Sequence, residues 1–197
     1  MAPGISLMQR LRMPVKLATM AVMLGFPLVV MTYFQMSTLR SDYLIASHEV
    51  EGAQAIDLIT DVITDVQKLR IESVLSNQSE FANARAGTLQ ELQGNVSKVD
   101  SWLAQHADAQ WGKIWAAQRS NLQGLQSASP ASSPMAAMDA HTQLVDGLRK
   151  LITRVGEEST LVLDPLAETF FLQDILTQRA VAWLESVSTV RALAALW

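Results

Sequence analysis

Arg70, Lys98, Arg154, Thr169 and Phe170 are the residues of this 197-residue chain whose types and spacing could do chemistry together. Arg70 follows Ile56 and Ile63 at intervals of seven, so it prolongs an apolar helical stripe and is expected to be partly shielded from water. Folding the chain back at turns near residues 84, 130 and 162 brings Lys98, Arg154 and Phe170 to the level of Arg70, to within a helical turn. Thr169 then sits beside the ring. Three cations near one aromatic side chain, in a region that is net acidic, form an anion-sized site. A guanidinium fork matches a carboxylate, and partial burial strengthens such charge-assisted hydrogen bonds. The chemistry expected is therefore recognition of a small carboxylate. The competing arrangement pairs each cation with an acid close by, Arg70 with Asp174 for example.

Catalysis has no comparable set of residues, and neither enzyme activity nor a metal or other cofactor is expected. The chain has no cysteine, which removes thiol nucleophiles, disulfides and Cys-ligated metals. His48, His106 and His141 are far apart, and no G-x-S-x-G or phosphate-binding glycine loop occurs. His106 and His141 fall on helical seams and read as hydrogen-bonded packing residues. Asp57, Asp61 and Asp65, like Glu157 and Glu158, read as solvated helix faces, and the five Trp as packing. An acidic pI near 5.3 without a Lys/Arg-rich run gives nucleic acid no footprint.

The elements that must position these residues start with an asymmetry of charge. All 19 acids lie at or after Asp42 and only three of the 15 Lys and Arg precede residue 40, so residues 1–39 carry +3 and the rest −7. Leu17 to Leu39 contains no charged side chain. These 23 residues span about 34 Å as a helix, enough for a hydrocarbon core of about 30 Å. The run exceeds the apolar region of a cleaved signal, and no small-residue cleavage site follows it closely. A transmembrane helix over 17–39 is expected, with residues 1–16 cytoplasmic by the excess of basic residues before it and 40–197 exported, to the periplasm in a bacterium with two membranes.

Beyond the span, apolar residues recur at alternating intervals of three and four. Ala55, Ile59, Val62, Val66 and Leu69 form one seam, Leu89 to His106 a second that shifts at Trp111, Met138 to Ser159 a third, and Leu172, Leu176, Arg179, Trp183, Val187 and Val190 a fourth. Gly87 lies in a break at Asn83–Thr88, two prolines and four serines interrupt Ser127–Pro134, and Asp164-Pro165 suits a helix start. The fold class expected is all-α: the transmembrane helix continues into an up-down antiparallel four-helix bundle with helices over about 40–82, 88–126, 135–160 and 165–197. In that topology the last helix heads back toward the membrane, and the chain is expected to be the first piece of a longer receptor with a second span.

Ser159, Leu161, Leu163, Asp164, Pro165, Glu168, Thr169, Phe170, Phe171, Leu172 and Asp174 follow the pattern S-x-L-x-L-D-P-x-x-[DE]-[ST]-[YF]-[YF]-L-x-D, and Glu51-Gly52 with Gln67 and Arg70 follow E-G … L-Q-x-x-R. Both patterns resemble the sensor regions of bacterial methyl-accepting chemotaxis proteins. Leu69-Arg70-Ile71 stands where many relatives have His-Arg-Gly, and phenylalanines replace common tyrosines. The resemblance implies an inner-membrane chemoreceptor that senses an organic acid and works as a homodimer, with ligand shifting the fourth helix against the first. Histidine kinases and diguanylate cyclases carry the same sensor type, and a single-span structural or adaptor protein is the alternative outside signalling.

Overall fold

The computed structural model describes residues 12–75, 79–127, 133–161, 171 and 174–195, and every regular element among them is helical. The helices are α1 (Met13–Val74), α2 (Ser79–Gln105), α3 (Gly112–Ser127), α4 (Pro134–Glu158) and α5 (Val181–Ala194), the last entered through six residues of wider π-helical winding, Ile175–Ala180. The chain divides into two compact units, Met1–Ser47 and His48–Trp197.

In the first unit α1 passes through Pro27 without a break and its large apolar side chains, Leu24 and Phe26 among them, are exposed. The helix is long and apolar enough to cross a membrane by length and composition. Thr19, Thr32 and Thr38 each donate their hydroxyl to the carbonyl four residues earlier, which satisfies these three donors on an apolar surface.

The second unit has one main core. All five residues of the first expected seam, Ala55 to Leu69, are buried in it, with Leu92 and Val99 of α2, Trp115 and Leu122 of α3, and Val145, Leu148 and Ile152 of α4. α4 starts where the Ser/Pro segment ends. Ser133 accepts a hydrogen bond from the Ala136 N–H and Pro134 takes the first helical position, where its missing N–H costs nothing. At the other end Thr160 takes a left-handed conformation (φ 61°), an unfavourable one for a β-branched residue, directly after the Ser159 cap.

Four expectations are corrected. The break at Asn83–Thr88 is helix: Gly87 is exposed within α2, where glycine costs only about 1 kcal/mol, and Thr88 is buried and donates to Glu72 Oε1 at 2.7 Å. The expected helix 88–126 is two helices. The chain turns at residues 106–111, where the Glu158 carboxylate accepts from the backbone N–H of Gln110 (2.6 Å) and Trp111 (3.1 Å) and so caps the start of α3. Trp102, His106 and Trp111 stack at this corner.

The third correction concerns direction. Gln67 meets Glu185, Arg70 meets Ser188, and Val74 clusters with Ala192, so one offset holds along α5 and it advances in the same sense as α1. A helix returning toward the membrane would show falling numbers. The fourth concerns the face α5 buries. Val181, Glu185, Ser188 and Ala192 are inside, whereas Trp183, Val187 and Val190 of the expected seam are exposed. The polar face turns inward because it carries the partners of buried Arg70. Asp164-Pro165, residues 128–132 of the Ser/Pro segment and most of the Ser159–Asp174 pattern lie outside the described residues.

Candidate functional site

Arg70 is fully buried where α1, α4 and α5 meet. Its Nη1 donates to Glu185 Oε1 at 2.6 Å and to Thr142 Oγ1 at 3.1 Å. Its Nη2 donates to Ser188 Oγ at 2.7 Å and to Glu185 Oε2 at 3.2 Å. Gln67 and Thr189 donate to the same carboxylate at 2.8 and 3.0 Å. The fork therefore holds a carboxylate with two-point geometry, the carboxylate being the protein's own. Arg70 Nε has no partner among the described residues, so the cation is not fully satisfied.

His141, one residue before Thr142, is also buried, and its Nδ1–H donates to the Ala137 carbonyl at 2.6 Å. Burial lowers its pKa from the ordinary histidine value; the bond to Ala137 opposes this, and the charges of Arg70 and Arg85 add to the lowering. Burial and the nearby guanidinium both favour the neutral imidazole.

Two further polar groups face α2. Asp65, expected on a solvated face, is buried and accepts from Asn95 (2.7 Å) and Lys68 (3.3 Å). Lys68 also reaches Glu91 at 3.0 Å, and that bond is the main cause of its raised pKa. Glu72 is nine-tenths buried; Oε1 is bonded by Thr88 and Oε2 is bonded by no group among the described residues. Beside the Arg70–Glu185 pair, α1, α2 and α5 line an open cleft of about 440 Å³.

The expected site residues are placed as follows. Arg70 is central. Lys98 is exposed and donates to Asn95 at 2.9 Å; since Asn95 meets Asp65, Lys98 lies about two helical turns from Arg70. Arg154 is exposed on Glu157 at 3.0 Å, twelve residues along α4 from the Arg70 contact at Thr142, or about 18 Å. Arg70, Lys98 and Arg154 do not converge. Thr169 and Phe170 lie outside the described residues. Asp174 pairs with Arg179 at 2.6 Å, so the acid that neutralises Arg70 is Glu185. Among the described residues no three His, Asp or Glu side chains are grouped to hold a metal ion.

Glu185 and Ser188 were not singled out by sequence reasoning. The signal was the second seam on the last helix, Val181, Glu185, Ser188 and Ala192, spaced four, three and four but built of polar and small residues. Fold and site together define an all-helical protein with a membrane-length N-terminal helix and a helical unit locked by an internal guanidinium–carboxylate pair. Comparison with protein families, curated proteins and solved structures gives no match.

Proposed function

We propose that this chain is the ligand-sensing and transmembrane signalling portion of a bacterial chemoreceptor, anchored in the inner membrane by residues 17–39 with the N-terminus cytoplasmic and residues 40–197 periplasmic. It binds a small carboxylate ligand and works as a homodimer. The observation that carries the reading is Arg70, a buried carboxylate-binding fork at the seam between α1 and α5, on the helix that also contains the apolar span. The sequence patterns around Arg70 and Asp174 support the same class.

The helices of the sensing unit form an up-down antiparallel bundle whose four members are α1 to α4. Glu72–Thr88 and Asp65–Asn95 support an antiparallel α1 and α2, because one residue number rises as the other falls toward the turn, and Trp115–Asp100 and Glu158–Trp111 support α3 packing against α2 and α4. α5 lies along α1 as a fifth member. Signalling follows from competition: an acid that takes charge from Arg70 weakens Glu185's hold, and α5 shifts against α1. A ligand signals only through different affinity for the two arrangements.

Calorimetry on the full chain in lipid nanodiscs, with a panel of amine-free di-, tri- and aromatic carboxylates, tests the proposal. At least one acid is expected to bind saturably, and Glu185→Gln, which loosens the latch, is expected to tighten that acid by about tenfold. An acid bound equally by both forms, or none bound by either, overturns the reading.

A further inference from the structure

α5 is amphipathic in reverse. Its buried face is Val181, Glu185, Ser188 and Ala192, and the face directly opposite is Trp183, Val187, Val190 and Ala194, spaced four, three and four. Trp183 and Val190 are 67% and 65% exposed, and Leu184 and Leu193 flank the stripe at 44% and 39%. Of the ten large apolar side chains exposed among the described residues from His48 onward, seven fall between Phe171 and Leu193, whereas Val50, Ile114 and Met135 are scattered singly. Single exposed apolar residues are ordinary; a contiguous patch of them marks a contact surface. Alternating intervals of four and three are the repeat by which one helix packs along another, its side chains entering the gaps of the facing helix. The occupant that fits this stripe is a helix running alongside α5.

We infer that this helix is α5 of a second copy of the chain, the two lying parallel about a two-fold axis with Trp183, Val187, Val190 and Ala194 in the seam. The inference rests on the homodimeric sensing function proposed above and names its interface. Self-complementarity is one reason. A two-fold interface must match its own surface. The stripe carries no acid, the one acid of α5 being Glu185 on the buried face. In a parallel heptad pair the flanking position of Arg191 lies across from that of Ser186, so like charges do not meet. Area is the other reason. Trp183, Leu184, Val187, Val190 and Leu193 together expose on the order of 500 Å² per copy, so a pair buries about 1,000 Å², the threshold of a specific interface. Pairing at that threshold is weak between free molecules. Two copies anchored in one membrane, as proposed, meet at high effective concentration and share one orientation. The opposite face of the same helix delivers Glu185 to Arg70, so the seam and the internal latch are separated by one helix thickness of about 10 Å.

The test places single cysteines in the full chain, which has none of its own, reconstituted in lipid vesicles. Under mild oxidation Val187→Cys and Val190→Cys are expected to form covalent dimers about tenfold or more faster than Asp146→Cys, at an exposed position of α4, because equivalent seam positions come within bridging distance. Val190→Asp is expected to keep the parent's urea midpoint, its site being exposed, and to weaken association by about tenfold or more, since it sets two carboxylates against each other in the seam. Association is read by energy transfer between copies labelled at Asp146→Cys as lipid is added. An association constant unchanged by Val190→Asp overturns the inference. Dimers formed through Asp57→Cys on α1, and through neither Val187→Cys nor Val190→Cys, also overturn it and leave the homodimeric sensing function standing. Absence of any association overturns both, and quenching of a probe at Val190→Cys by brominated lipid then assigns the stripe to the bilayer.

Discussion

Arg70 and Glu185 form a buried pair whose worth depends on both partners being present. Removing one leaves the other charged and dry, so Arg70→Met is expected to cost about 3–5 kcal/mol in urea unfolding, whereas Arg70→Met with Glu185→Leu is expected to fall within about 2 kcal/mol of the parent. A double variant as unstable as the single one would contradict the pairing. His141 adds a pH dependence of known sign. Its pKa is lowered in the folded state, so below about pH 6.5 the unfolded chain takes up a proton that the folded chain refuses, and stability falls with pH by up to about 1.4 kcal/mol per unit. The loss of melting temperature between about pH 7.5 and 5.5 is expected to be smaller in His141→Gln; an equal loss would place the titration elsewhere. At this scale the sequence exposed the shielding of Arg70, because one cation in a heptad stripe is conspicuous. It hid the partner, because Glu185 sits 115 positions away and nothing local marks it.

Helices are readable where burial is apolar and obscure where it is polar. The seam from Ala55 to Leu69 and that from Met138 to Ser159 are buried as their spacing predicts, since packing against neighbours selects a 3.5-residue period. α5 departs because the charge it must deliver to Arg70 outweighs the apolar stripe of Trp183, Val187 and Val190, which is left exposed. The split of α2 from α3 was visible as the shift between His106 and Trp111, but the cap that permits it comes from Glu158, remote in sequence. One missed turn reverses the direction of every later helix. That is why the expected and observed headings of the last helix differ. Cysteines introduced in pairs check it: Val74→Cys with Ala192→Cys is expected to crosslink efficiently under mild oxidation, and Ile56→Cys with Ala192→Cys is not. The opposite pattern would restore a returning helix.

At the scale of the whole molecule, residues 1–39 carry +3 and an apolar helix long enough to cross a membrane, and residues 40–197 carry −7 with Arg70 buried among them. Arg70 lies on α1, the helix that also contains the apolar segment of membrane length. The central claim is that a bound acid moves α5 against α1. Pulsed electron spin resonance on the full chain in nanodiscs, labelled at Asp61→Cys and Trp183→Cys, measures that distance directly. With saturating ligand the account predicts a shift of about 1–2 Å, abolished in the Arg70→Met, Glu185→Leu double variant. Saturable binding with no change in the distance would contradict it.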